Sequence, residues 1–258
     1  MRHRRELEGG GSASGSGGQP THAILLAGGR GLRLGSITRG HPKPLVPVQG
    51  VPVIVRLIAS LRAEGVERCT VVTCHLPEMI EAELGDGREL GVRIDYLREP
   101  EPLGTAGCLG VLPPPAEAFF LLNADIITDL SFRSLAAWHR RIGAAATVAV
   151  WRHTTPVEYG VIDFDAAGRV TGFREKPVHE VFVSMGVACL APRVCTHVAA
   201  GEALSLPALL ARLVAAGEPV FSYRHDGGWC DIGRPEDYER AQRLLLPPVE
   251  IHPRRRAA

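Results

Sequence analysis

HAILLA at 22–27 and AFFLLNAD at 118–125 are apolar runs that do not alternate. Successive side chains of a strand point to opposite faces, so a strand wetted on one side has to alternate. Runs of this kind are buried on both faces, the condition of central strands in a mostly parallel sheet covered by helices. Helical patterns fall between them. Pro52 opens one, with Ile54, Leu57, Ile58 and Leu61 at i, i+3, i+4 and i+7 and Gly65 as its stop. PEMIEAEL (77–84) ends at Gly85, and SFRSLAAWHRRIG (131–143) has a Ser cap and a Gly stop. ERCTVVTC (67–74) and VRIDYL (92–97) read as further strands, and TAGCLGVL (105–112) predicts a short, weak helix. This βαβα rhythm argues for an α/β fold, a three-layer αβα sandwich.

After residue 145 the rhythm changes. ATVAVW, YGVIDFD and RVTGFREKP read as strands, the last two joined by a turn at Ala166-Ala167-Gly168, which predicts a small antiparallel insertion. VSMGVACLA returns to a buried strand, and SLPALLARLVAAG and PEDYERAQRLLL are the closing helices. No internal repeat is visible. The Gly/Ser-rich start predicts a tail over 1–20, one domain over 21–246 and a second tail over 247–258.

Bulk composition narrows the partners. With 258 residues, 45% hydrophobic, and a formal net charge of +1, the chain has no overall drive toward nucleic acid or a membrane. Any polyanion site must be local. No segment approaches the ~18 consecutive apolar residues of a membrane helix, and the basic N-terminus lacks the apolar core of a secretory signal. The six cysteines form no C-x-x-C pair and no zinc spacing. Cys69, Cys74 and Cys189 read as buried free thiols, which fits a cytoplasmic location.

The stretch LLAGGRGLRLGSITRGHPKPL (25–45) follows the first strand. Ligands of open α/β sheets sit at the carboxyl ends of strands, and glycines there let backbone N–H groups approach phosphate oxygens. A Walker A loop needs Ser or Thr after its lysine and a following helix; Lys43 lies between Pro42 and Pro44 instead. A dinucleotide turn needs G-x-G-x-x-G and an acid ending the second strand; that strand ends in Cys74-His75. A glycine-rich surface turn carrying two solvated cations is the plainer alternative.

The string L-A-G-G-x-G-x-R-L followed by P-K-P-L resembles the signature of the sugar-1-phosphate nucleotidylyltransferases. Four more segments resemble that family in the expected order: EPEPLGTAG (99–107), FFLLNAD (119–125), YGVIDFDAAGRVTGFREKP (159–177) and GGWCDIGRPEDY (227–238). The matches span roughly residues 22–245. The resemblance implies a Rossmann-like nucleotidyltransferase fold and an enzyme joining an NTP to a sugar 1-phosphate with release of pyrophosphate. It implies that Arg33 and Lys43 neutralise phosphate charge and that Ala27, Gly28, Gly29, Gly31, Gly104 and Thr105 hold the nucleotide. Asp125 and Asp231 are implied as ligands of Mg2+, with Asp125 counted among the catalytic residues. Tyr159, Gly160, Glu175, Lys176 and Ser184 are implied on the sugar-phosphate side.

The sequence departs from the family pattern at Leu32, Gly35-Ser36, Ala124, Ser184 and Arg234. Leu32, Ser184 and Arg234 keep open a regulatory or catalytically degraded relative that binds a nucleotide sugar. A cytidylyl- or molybdopterin-type transferase is disfavoured by the E-K-P and W-x-D-I-G segments, and a glycosyltransferase by the lack of a D-x-D triplet. The overall look resembles mannose- or heptose-1-phosphate guanylyltransferases, which favours GTP, with a UTP-, dTTP- or CTP-using enzyme of the same family as the alternative. The chain stops soon after its last helix, so no appended acyltransferase β-helix is expected. A homo-oligomer is compatible with all of this.

Overall fold

The computed structural model describes residues 19–29, 31–38 and 40–244, apart from the side chains of Leu32, Arg33 and Ser36. The expected tails at 1–20 and 247–258 lie outside the described residues except for Gln19 and Pro20. Those two belong with the domain: Pro20 is buried, and the Gln19 amide donates to the Glu64 carbonyl.

In chain order the elements are β1 (His22–Leu26), β2 (Pro47–Val48), β3 (Val51–Pro52), α1 (Val53–Ala63), β4 (Arg68–Thr73), α2 (Pro77–Leu84), β5 (Arg93–Arg98), β6 (Phe119–Asn123) and β7 (Ile126–Thr128). There follow α3 (Phe132–Arg141), β8 (Ala146–Pro156), β9 (Val161–Phe164), β10 (Val170–Arg174), β11 (Val178–Leu190), α4 (Leu206–Ala215), β12 (Val220–His225), β13 (Trp229–Asp231) and α5 (Pro235–Gln242). The main sheet has the order β12-β8-β11-β6-β1-β4-β5. β1 runs parallel to β4 and β6, β4 to β5, and β12 to β8; β11 is antiparallel to both of its neighbours.

The apolar runs are explained by two cores, one on each face. Ala23, Leu25, Phe120 and Leu122 face α1, α2 and α3. Ile24, Phe119 and Leu121 face α4 and the turns around Leu109 and Val194. A smaller cluster joins Leu34, Val46, Val53, Ile127, Cys230 and Ile232 to α5. Cys69 and Cys189 are buried free thiols, pushed up to about 12 by that burial. Cys74 departs from expectation: one residue beyond β4 it is only half-buried.

The expected helix at 105–112 is a single 3-10 turn, Gly107–Gly110. Thr105 does not cap it. Its Oγ1 instead accepts from the Leu206 N–H at 2.7 Å and so serves the first turn of α4, beside the Ser205 cap.

β8 and β11 run on past the sheet as an exposed two-stranded arm, with the β9–β10 hairpin beside it. The β8–β11 register breaks between Ser184 and Ala188, where the strands leave the core. In the hairpin Ile162 pairs with Phe173 and Phe164 with Val170. All four are at least half exposed, so the hairpin carries an apolar face without cover among the described residues.

Candidate active site

A cleft of about 370 Å³ opens over the carboxyl ends of β1, β4 and β6. Leu26, Val72 and Asn123 form its floor, and Gly28, Gly29 and Cys74 its near wall. Lys43, Pro44 and Asp125 close one end; Glu99, Pro102, Gly104 and Thr105 close the other.

The charged end is built from three separate parts of the chain. β6 delivers Asp125 just past its last residue, held by Ala124 N–H to the Leu26 carbonyl at 3.1 Å. β13 delivers Asp231, paired with Ile126 of β7. A second tie runs from the Ile232 N–H to the Asp125 carbonyl at 3.2 Å. The Lys43 ammonium lies between the two carboxylates, donating to Oδ2 of Asp125 and to Oδ1 of Asp231 at 2.9 Å. Burial works to lower the Lys43 pKa, but the two carboxylates outweigh it and hold the ammonium above its ordinary value. Burial pushes Asp125 up, against the pull of Lys43 and with the help of Asp231. Oδ1 of Asp125 is buried and has no hydrogen-bond partner among the described residues.

Gly31 explains part of the glycine signal. Its φ is +64°, and a Cβ there would lie 3.1 Å from the Lys43 Cβ. This glycine makes room for the lysine. Ala27 is buried, with its N–H on the Val72 carbonyl at 2.8 Å. The side chain of Arg33 lies outside the described residues.

At the other end Gly104 has φ +79°, and a Cβ there would come within 2.6 Å of the Leu204 carbonyl oxygen. The strap 103–106 is thereby held against the approach to α4. Sequence reasoning passed over Glu99. It is 8% exposed, accepts from the Leu103 N–H at 3.1 Å through Oε2, and leaves Oε1 buried without a partner among the described residues. Burial raises its pKa, and the Leu103 N–H opposes the rise. The signal available was its place at the head of the E-x-x-P-L-G-T-A segment.

The sugar-side residues stand elsewhere. Tyr159, Gly160, Glu175, Lys176 and Ser184 are all exposed on the arm and hairpin, and none lines the cleft. Within that group a Cβ on Gly160 would meet the Phe173 ring at 2.6 Å and Oε2 of Glu175 at 3.3 Å. Lys176 has φ +40°, an uncommon conformation for a residue with a Cβ. Ser184 Oγ accepts from the Gly186 N–H at 3.3 Å, closing the turn where the family resemblance expects asparagine. Arg234 is the N-cap residue of α5 and gives it no side-chain cap.

Two tryptophans connect the arm to the carboxylates. Trp229 Nε1 donates to the Met185 carbonyl at 3.0 Å, and Trp151 Nε1 to the Gly227 carbonyl at 3.0 Å. Their ring centroids are 5.7 Å apart.

A bridged pair of carboxylates beside a glycine loop is a site for gathering phosphates and a hard cation. Among the described residues no group of three or more His, Cys, Asp or Glu side chains could hold a metal ion by itself. No helix among them is long and apolar enough to cross a membrane.

Comparison with known proteins gives the same direction. Residues 22–247 match the family model described as Nucleotidyl transferase. The chain is 33% identical over 244 residues to mannose-1-phosphate guanyltransferase beta-B of Xenopus laevis, covering 90% of this chain and 67% of that one. It is 29% identical to the mannose-1-phosphate guanylyltransferase of Mycobacterium tuberculosis, covering 90% of this chain and 66% of that one. The chain therefore spans about two thirds of the length of these curated relatives. Among solved structures, HddC from Yersinia pseudotuberculosis superposes with a TM-score of 0.67 at 25% identity, over 86% of this chain and 98% of that one.

Proposed function

The chain belongs to the nucleotidyl transferase family, and on that premise we propose that it joins an NTP, GTP by preference, to a sugar 1-phosphate, releasing pyrophosphate. The observation that carries this reading is the Lys43 ammonium shared by Asp125 and Asp231 at the end of a glycine-walled cleft. The attacking group is a phosphate oxygen of the sugar 1-phosphate, and the bond broken joins the α-phosphorus to the pyrophosphate. That oxygen is already ionised near neutral pH, so the protein needs no general base. Its work is positioning and charge stabilisation. Lys43 bridges phosphates, Arg33 meets the charge on the departing pyrophosphate, and the N–H groups around Gly28 and Gly29 cradle the nucleotide.

The carboxylates fit a magnesium ion. Both offer hard oxygens, and the partnerless Oδ1 of Asp125 is an open ligand position. Asp125 and Asp231 would hold it, and when bound it would supply positive charge to the α-phosphate and the pyrophosphate.

The preference for GTP rests on Glu99. An ionised carboxylate only accepts hydrogen bonds. The Watson–Crick edge of guanine offers two adjacent donors, N1–H and N2–H, whereas uracil and thymine offer one. A buried carboxylate with a vacant oxygen at the strap end of the cleft therefore suits guanine best. On the arm, Glu175 accepts from sugar hydroxyls, Lys176 meets the sugar's phosphate, and the Tyr159-Gly160 backbone and Ser184 complete the contacts. Six free cysteines support a reducing cytoplasm as the compartment under this reading.

The test is release of pyrophosphate with Mg2+, each of the four NTPs and dTTP, and a panel of sugar 1-phosphates. Release with GTP well above the other nucleotides is the expected result. A protein that binds a nucleotide sugar yet releases nothing with any pair is the regulatory relative that Leu32, Ser184 and Arg234 would suggest.

A further inference from the structure

We propose that Lys43 holds the place of the divalent cation in the nucleotide-free protein, so that metal entry at Asp125 and Asp231 requires the ammonium to withdraw. This rests on the reading above, in which those two carboxylates take the metal.

The geometry carries it. One nitrogen touches a carboxylate oxygen of each aspartate. A metal held by both aspartates at about 2.0–2.1 Å would occupy the same gap. A metal entering through the partnerless Oδ1 of Asp125 and reaching Asp231 as well would stand a few ångströms from the ammonium, and the two cations repel. The lysine is placed there by its surroundings. Its residue is 7% exposed, Gly31 packs on its Cβ, and Pro42 and Pro44 fix the chain on either side. Only the outer methylenes of the side chain are free to swing Nζ aside.

Charge sets the order of events. Two carboxylates and one ammonium leave a single net negative charge, and the described residues offer no third side-chain ligand in reach. Metal alone therefore binds weakly. An incoming triphosphate brings oxygens that complete the metal's shell and give the displaced ammonium an anion to meet. Nucleotide and metal thus enter together, and Lys43 passes from the aspartates to a phosphate as they do.

The experiment uses Mn2+ as the probe, with free Mn2+ followed by its paramagnetic resonance signal. In the absence of nucleotide, Lys43→Met is expected to bind Mn2+ at least about tenfold more tightly than wild type. Asp125→Asn in the Lys43→Met background should abolish the gain. Affinity in Lys43→Met equal to or weaker than wild type overturns the proposal. A second measurement needs no variant. Acetic anhydride labelling of the wild-type Lys43 amine, read by peptide mass, should rise when millimolar Mn2+ is added without nucleotide. Labelling that stays unchanged once metal is bound also overturns it. Failure here leaves the enzymatic reading standing so long as GTP-supported, Asp125-dependent pyrophosphate release is seen. Loss of that release in the wild type sinks the enzymatic reading itself.

Discussion

The sheet core and the arm share two strands, β8 and β11, yet they differ in almost every physical respect. The inner ends, Ala146–Ala149 and Met185–Leu190, are buried apart from Gly186, with β8 between β12 and β11 and β11 against β6. The outer ends, 152–156 and 178–182, are exposed throughout. The charged groups of the carboxylate end sit where packing leaves a side chain few alternatives. The residues assigned to the sugar sit where loops and strand ends face water and change costs little. On the proposed reading the nucleotide side is thus fixed by the fold, while the sugar side is open to adjustment.

The sharpest way to break that contrast is Asp125→Ala. Pyrophosphate release should fall by about 10³-fold or more, the scale on which a principal electrostatic contact acts, with the circular dichroism spectrum unchanged. Near-normal turnover would remove the metal assignment. In stability the contrast should run the same way. Phe120→Ala in the core should cost about 3–5 kcal/mol, and Phe164→Ala on the hairpin about 0.5 kcal/mol or less, both read from urea midpoints. Equal losses would mean that the hairpin is covered in solution.

Glu99→Gln should lower the GTP-to-UTP ratio of kcat/KM by about 1–3 kcal/mol, or roughly 5- to 150-fold. A pH series adds a sign. Burial raises the Glu99 pKa in the free protein, and guanine needs the ionised form. GTP affinity should therefore weaken as pH falls through that raised value, and the variant should lose this dependence. An unchanged ratio with an unchanged pH profile would send the base elsewhere. The smallest expected effect on catalysis is at Lys176. Lys176→Ala should raise the KM for sugar phosphate about tenfold, the loss of one charge-assisted contact, with GTP binding intact. Lys176→Gly should share that defect while regaining about 1 kcal/mol of stability from relief of the positive φ. A KM and kcat both unchanged would count against the sugar-phosphate role.

Much of the sheet core was legible because burial on both faces writes itself into a strand as an unbroken apolar run. Asp125 stood out at the end of such a run and Asp231 only through the family resemblance of its W-x-D-I-G segment, and the structure joins them through one ammonium. What the sequence hid was long-range. Nothing local announces that Thr105 will cap a helix starting at Leu206, or that Gly31 makes room for Lys43. Glu99 was passed over because its burial depends on the whole strap. Cys74 read as core because its neighbours in β4 are core; it lies one residue past the point where the strand stops. The three-residue pair β7–β13 is too short for periodicity to show.

The Trp229 indole, donating to the Met185 carbonyl two residues ahead of Asp231, makes the two halves mechanically continuous. Any shift along β11 is passed to this crossbar, and through it toward one of the two acids. On the proposed reading, one indole thus ties the strand that carries Ser184 to the acid that takes the metal.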